Sequence, residues 1–198
     1  MIKNKNDLRY YLKCDEIARW GRKATALEKI RLGSMWKYNI VLRKLEYIKN
    51  CKKGLIKLIL YYIYKFRKRI LEHLTGWYIP ENVFGPGLCL VHKGPVIVNN
   101  NARFGCNVRI QAMVNIGASG GKKDAPHAGD MIYIAPGAKL FGNIELRNNV
   151  AIGANAVVNK SYKEDNITLA GVPAKIVSYH GCRDYVIDAV NLVNNAYY

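Results

Sequence analysis

Two histidines, His92 and His127, are the side chains between residues 79 and 177 best suited to move a proton near neutral pH. An unperturbed imidazole titrates at about 6.5, so it can accept a proton in one step and return it in the next. His92 stands in 88-LCLVHKGPVIVNNNARFG-105, an apolar stretch punctuated by glycine, and Gly94 two residues on would let a substrate come close to the main chain. His127 lies in 118-ASGGKKDAPHAG-129, a polar and glycine-rich segment. His73 and His180 fall outside this region and read as ordinary surface residues. Two histidines are too few for a three-histidine zinc site, so no metal is expected. The five cysteines are odd in number, widely spaced and without a CxxC pair, which argues against a disulfide framework.

The elements that must position His92 are written as a repeat of six. From Val98 the chain cuts into VNNNAR, FGCNVR, IQAMVN and IGASGG, and it resumes at Ala128 with AGDMIY, IAPGAK, LFGNIE, LRNNVA, IGANAV and VNKSYK. Two earlier units, FGPGLC and LVHKGP, precede a two-residue slip at Val96-Ile97. The first position is apolar throughout, from Val98 and Phe104 to Ile152 and Val158, and from Ala102 to Ala156 the fifth is small or β-branched. Such a period fits neither the α-helix nor a plain strand. Three units close one triangular coil, with positions one and five inward and stacked coils sharing a continuous core. His92 is third in its unit, so it projects from the coil surface.

These repeats resemble the hexapeptide-repeat acyltransferases over roughly residues 79–177, most specifically in 132-IYIAPGAKLFGNIELRNNVAIGANAVVNKS-161 and 171-GVPAKIV-177. Within that family the sequence is similar to serine O-acetyltransferases and to bacterial polysaccharide O-acetyltransferases. The resemblance implies a mainly β fold, a left-handed parallel β-helix, although the general preference for right-handed crossovers points the other way. It also implies acetyl-CoA as donor and a homotrimer with active sites between neighbouring subunits.

By the same resemblance His92 is the catalytic base, matched through Leu90, Gly94 and Ile97-Val98. Pro136 and Ala154 match positions along which the pantetheine arm lies, and Asn159, Lys160 and Lys175 match those that meet the CoA phosphates. His127 is an expected acceptor contact, and Glu81 is counted with it among the substrate-binding residues. Two departures stand out. The family's orienting carboxylate, fifteen residues before the histidine, is Trp77 here, which leaves Glu81 or Glu72 as substitutes, or a backbone carbonyl to set the tautomer. The aspartate that commonly precedes the histidine and meets the amino-acid substrate is Val91. That second change shifts the expectation from free serine to a sugar hydroxyl of a surface polysaccharide or its precursor. Serine O-acetylation and a non-catalytic scaffold that binds a membrane or polyanion are the alternatives.

Residues 1–75 lack the repeat and carry 20 Lys and Arg against 6 Asp and Glu, whereas residues 76–198 carry 11 against 8. Charge of this kind suits nucleic acid, an anionic membrane or an acidic polymer, but no nucleic-acid motif accompanies it. Helical spacing predicts three helices, over 6–20, 36–50 and 54–74. The aromatic stripe of 51-CKKGLIKLILYYIYKFRKRI-70 reads as ordinary core, with adsorption to an anionic membrane face as the functional alternative. Residues 178–198 are expected to hold one short helix starting near Asp184. A polar N-terminus without a signal peptide, and no apolar run long enough to span a bilayer, point to a cytoplasmic protein.

Overall fold

A computed structural model describes residues 1–195, so the last three residues of the expected C-terminal segment lie outside it. From Trp77 onward the chain winds as a triangular prism with three parallel sheets as its faces. The first face comprises β1 (Trp77–Tyr78), β3 (Val96–Val98), β6 (Val114–Gly117), β9 (Lys139–Phe141) and β12 (Val157–Val158). The second comprises β4 (Arg103–Phe104), β7 (His127–Ala128) and β10 (Glu145–Leu146). The third comprises β2 (Cys89–Leu90), β5 (Val108–Ile110), β8 (Ile132–Ile134), β11 (Val150–Ile152) and β13 (Ile167–Gly171), closed by the antiparallel β14 (Ala174–Ser178). The fold is a left-handed β-helix.

The sixfold pattern sets this architecture. Ile110, Ile134, Leu140 and Ile152 at the first position, and Val108, Ile132, Ala138 and Val150 at the fifth, all sit in one buried column. Leu90, Ile110, Ile134, Ile152 and Leu169 stand in register across the third sheet, so successive coils repeat each corner. Corner residues take left-handed conformations where Asn repeatedly stands, as at Asn107 with φ 57°. The Asn107 amide also donates to Asp188 at 2.8 Å, tying that corner to the C-terminal helix.

The N-terminal region holds four helices: α1 (Lys5–Trp20), α2 (Ala26–Leu32), α3 (Ser34–Cys51) and α4 (Gly54–Thr75). Helix α2 was not expected. Its signal is the capping box in which Thr25 and Glu28 exchange side-chain and backbone hydrogen bonds. The region is fastened to the first coil by a buried ionic cluster. Arg43 meets Asp15 at 2.8 Å and Glu46 at 3.0 Å, and its guanidinium donates to the carbonyls of Phe84 and Gly85. Asp15 in turn accepts from the amides of Gly87 and Leu88. Burial alone would lower the Arg43 pKa, but the two carboxylates outweigh it and hold the guanidinium firmly charged.

The C-terminal helix, α5 (Ala189–Asn195), begins after Asp188 and not near Asp184. Asp188 caps it through the Asn191 amide, while Cys182 to Val186 turn back under a bond from the Cys182 amide to Asn149. The stripe on α4 is not core: Leu55 is 70 % and Phe66 67 % exposed, and only its opposite side, through Tyr64 and Leu71, joins the packed interior. That side is occupied by α3 and the first coil, which leaves the other without a partner among the described residues.

Candidate active site

His92 sits in the turn between β2 and β3, with its ring exposed and its main chain held on every side. The Val91 amide donates to Ile110 at 3.0 Å, and the Gly94 amide donates to Thr75 at 2.8 Å. Arg19 of α1 donates to the Leu90 carbonyl. The indole N–H of Trp77 donates to the His92 carbonyl at 3.1 Å. Gly94 has φ 134°, and a Cβ on the facing Gly76 would stand 2.8 Å from the Gly94 carbonyl carbon, so glycine is required at both places. The backbone under His92 is therefore rigid while its ring is free to meet a ligand.

Two residues after each register position of the third sheet, the corner presents His92, Ala112, Pro136, Ala154 and Gly171 one above another. Main-chain bonds link the turns: Gly137 donates to Ala112 at 3.1 Å and Asn155 to Pro136 at 2.9 Å. Pro136, Ala154 and Gly171 are exposed, and Ala112 is half-buried. The result is a shallow track of small residues that ends at His92. Lys175 lies at its far end, where β14 pairs back so that Lys175 opposes Ala170. The expected donor positions Pro136, Ala154 and Lys175 thus share the His92 corner.

The remaining positions do not. Asn159 and Lys160 follow β12 at the opposite edge of the first sheet, with the Lys160 ammonium 5.3 Å from the Tyr162 ring centre. The loop 118–126 leaves from that same edge, where the Asn101 amide donates to the Lys123 carbonyl at 2.7 Å. His127 follows the loop on the second sheet, between Arg103 and Glu145, in an open groove of about 520 Å³ that Arg147 also lines. Within one chain His127 lies on the second sheet, and His92 lies in the turn between the third and the first.

Glu81, the expected substitute for the orienting carboxylate, turns toward the helices. It pairs with Lys68 at 3.0 Å and Lys49 at 3.4 Å. Burial pushes its pKa up, but the two ammonium groups more than offset this and hold it below the usual carboxylate value. Glu72 lies 3.5 Å from Lys68 in the same cluster. No carboxylate is hydrogen-bonded to the His92 ring among the described residues. What stands at the expected position is Trp77, fully buried and acting on the His92 main chain. Val91 packs with Ile17, Ala18, Cys89 and Ala189 in a small apolar cluster. Among the described residues, no three His, Cys, Asp or Glu side chains gather where they could hold a metal.

No protein-family model matches the chain. It is 37 % identical over 137 residues to a serine acetyltransferase of Staphylococcus xylosus, an alignment covering 64 % of this chain and 63 % of that protein. The chain therefore spans less than two thirds of that curated relative. Among solved structures, serine acetyltransferase from Brucella abortus superposes with a TM-score of 0.68 at 25 % identity, covering 89 % of this chain and 69 % of that one. A serine acetyltransferase solved in complex with CoA gives a TM-score of 0.69 at 24 % identity, covering 87 % and 71 %. The chain is a left-handed β-helix protein of hexapeptide repeats, and its resemblance to the serine acetyltransferases of the hexapeptide-repeat acyltransferases holds in both sequence and fold.

Proposed function

We propose that the chain is an acetyl-CoA-dependent O-acetyltransferase with His92 as its general base. The observation that carries this reading is the track of small residues, Ala112, Pro136, Ala154 and Gly171, that leads along one corner to an exposed histidine on a rigid backbone. An extended ligand on that track can reach main-chain groups at each turn, which fits a pantetheine arm. Acetyl-CoA bound there would supply the activated thioester. His92 then takes the proton of the acceptor hydroxyl as its oxygen attacks, and returns it to the departing sulfur. Pro136 and Ala154 flank the arm, while Lys175 supplies a cation at the far end of the track.

The relatives favour free serine as the acceptor, which was the alternative reading of the sequence. They lend no support to a polysaccharide acceptor. One observation keeps the sugar hydroxyl as a second reading: Val91 is turned into an apolar cluster and offers nothing to a substrate ammonium. We further propose a homotrimer. His92 and the 118–126 loop stand at opposite edges of the first sheet and His127 lies beyond it on the second, so His127 and Lys160 reach the His92 corner only if a neighbouring copy supplies them. With acetyl-CoA as donor, the protein would work in the cytoplasm.

Acetyl-CoA-dependent thiol release, measured with serine and a panel of glycans side by side, tests the reading. Turnover on serine supports the lead acceptor, and turnover on glycans alone supports the second. Absence of both turnover and CoA binding would overturn the assignment.

A further inference from the structure

We propose that α4 is an interfacial helix that seats the protein on the surface of an anionic phospholipid bilayer. The inference stands apart from the acetyltransferase reading, because it rests on the N-terminal region alone. On a helix of about 3.6 residues per turn, Leu55, Ile59, Tyr62, Phe66 and Ile70 fall on one stripe. All five are exposed. The stripe continues over a helix of 22 residues, a far larger apolar surface than scattered exposed side chains create. No described helix is long and apolar enough to cross a membrane, so lying on one is the arrangement that remains for a bilayer.

Charge selects the occupant. Arg67 borders one edge of the stripe, and Lys65 and Arg69 border the other, so cations flank the apolar face on both sides. Residues 52–75 hold seven Lys and Arg against one acidic residue, Glu72, and Glu72 already pairs with Lys68. A second copy docked by the same face would bring two stripes together that are both flanked by Lys65, Arg67 and Arg69, with no acid beside either to offset them. Anionic headgroups complement this pattern, and acyl chains complement the stripe. At the N-terminal end of α4 the surface opens into an apolar cavity of about 600 Å³ lined by Leu55, Leu58 and Tyr61 together with Lys49, Gly54 and Lys57. Lys49 is already held by Glu81, and apolar walls beside the Lys57 ammonium suit an acyl chain below a phosphate.

The test is co-sedimentation of the full chain with phosphatidylcholine vesicles that contain or lack phosphatidylglycerol. Binding should be about tenfold or more tighter to the anionic vesicles, and it should weaken as added salt shortens the Debye length. The double variant Ile59→Glu/Phe66→Glu should lose about tenfold or more of that binding. Both side chains are exposed, so the fold should persist by circular dichroism. If that variant does not fold, Lys65→Gln/Arg67→Gln/Arg69→Gln carries the test by removing the preference for anionic vesicles. Equal or absent binding to both vesicle types would overturn the proposal. So would a fall in solution mass of the Ile59→Glu/Phe66→Glu variant with vesicle binding unchanged, which would assign the face to a second copy of the chain.

Discussion

The indole of Trp77 donates its N–H to the main-chain carbonyl of His92 across 3.1 Å. The same ring packs edge-on against Tyr38 of α3 at 5.4 Å, and the Tyr38 hydroxyl accepts from the Ile79 amide. The helical region is thereby linked to the proposed base through one buried aromatic pair. Where the resemblance leads one to expect a carboxylate acting on the imidazole, this chain fixes the backbone that carries it.

Trp77→Phe keeps an aromatic ring in the core and removes the N–H. Loss of a hydrogen bond of about 1 kcal/mol corresponds to roughly a fivefold fall in kcat, with KM for acetyl-CoA unchanged. Steady-state kinetics beside a thermal melt separates this from general destabilisation, which would lower Tm without splitting kcat from KM.

Arg43→Met removes the cation from between Asp15 and Glu46 and leaves both carboxylates buried. The expected cost is about 3–5 kcal/mol, since an uncompensated buried charge is far more costly than a missing surface pair. Urea unfolding followed by circular dichroism measures it. The Phe84–Leu88 segment of the first coil should lose hydrogen-exchange protection first.

Glu81→Gln distinguishes a structural role from an acceptor contact. In the folded chain Lys68 and Lys49 hold the Glu81 pKa below its usual value of 4.5. The unfolded state therefore binds more protons as the pH drops below that value, and stability present above it is lost on acidification. The substitution should flatten this acid-side loss and leave turnover at neutral pH unchanged. A change in KM for the acceptor would instead return Glu81 to the site.

Ala154→Trp places bulk on the track at an exposed position, so the fold should tolerate it. KM for acetyl-CoA should rise by about tenfold, which corresponds to about 1.4 kcal/mol of lost donor binding, while Tm stays within a degree or so. Titration of CoA by calorimetry reads the same loss directly.

The prism and the place of His92 on it were legible because the apolar period admits one answer: Ile134, Leu140 and Ile152 point inward, and the third residue of a unit points out. The N-terminal region was harder to read. A buried Arg43 cannot be told from a surface arginine by spacing, since its partners Asp15, Phe84 and Gly85 are distant in sequence. The apolar run of α4 looked like core because composition does not say which side of a helix finds a partner. Trp77 was visible only as a missing acid. The indole's reach to a backbone carbonyl depends on the turn being folded first.

Thiol release from acetyl-CoA by His92→Ala, with whichever acceptor the wild-type chain uses, tests the role of His92 most directly. A fall of about a hundredfold or more in kcat is expected, the loss typical of a missing general base, with CoA affinity and Tm retained. Turnover within a fewfold of wild type would contradict it and would remove His92 from the chemistry.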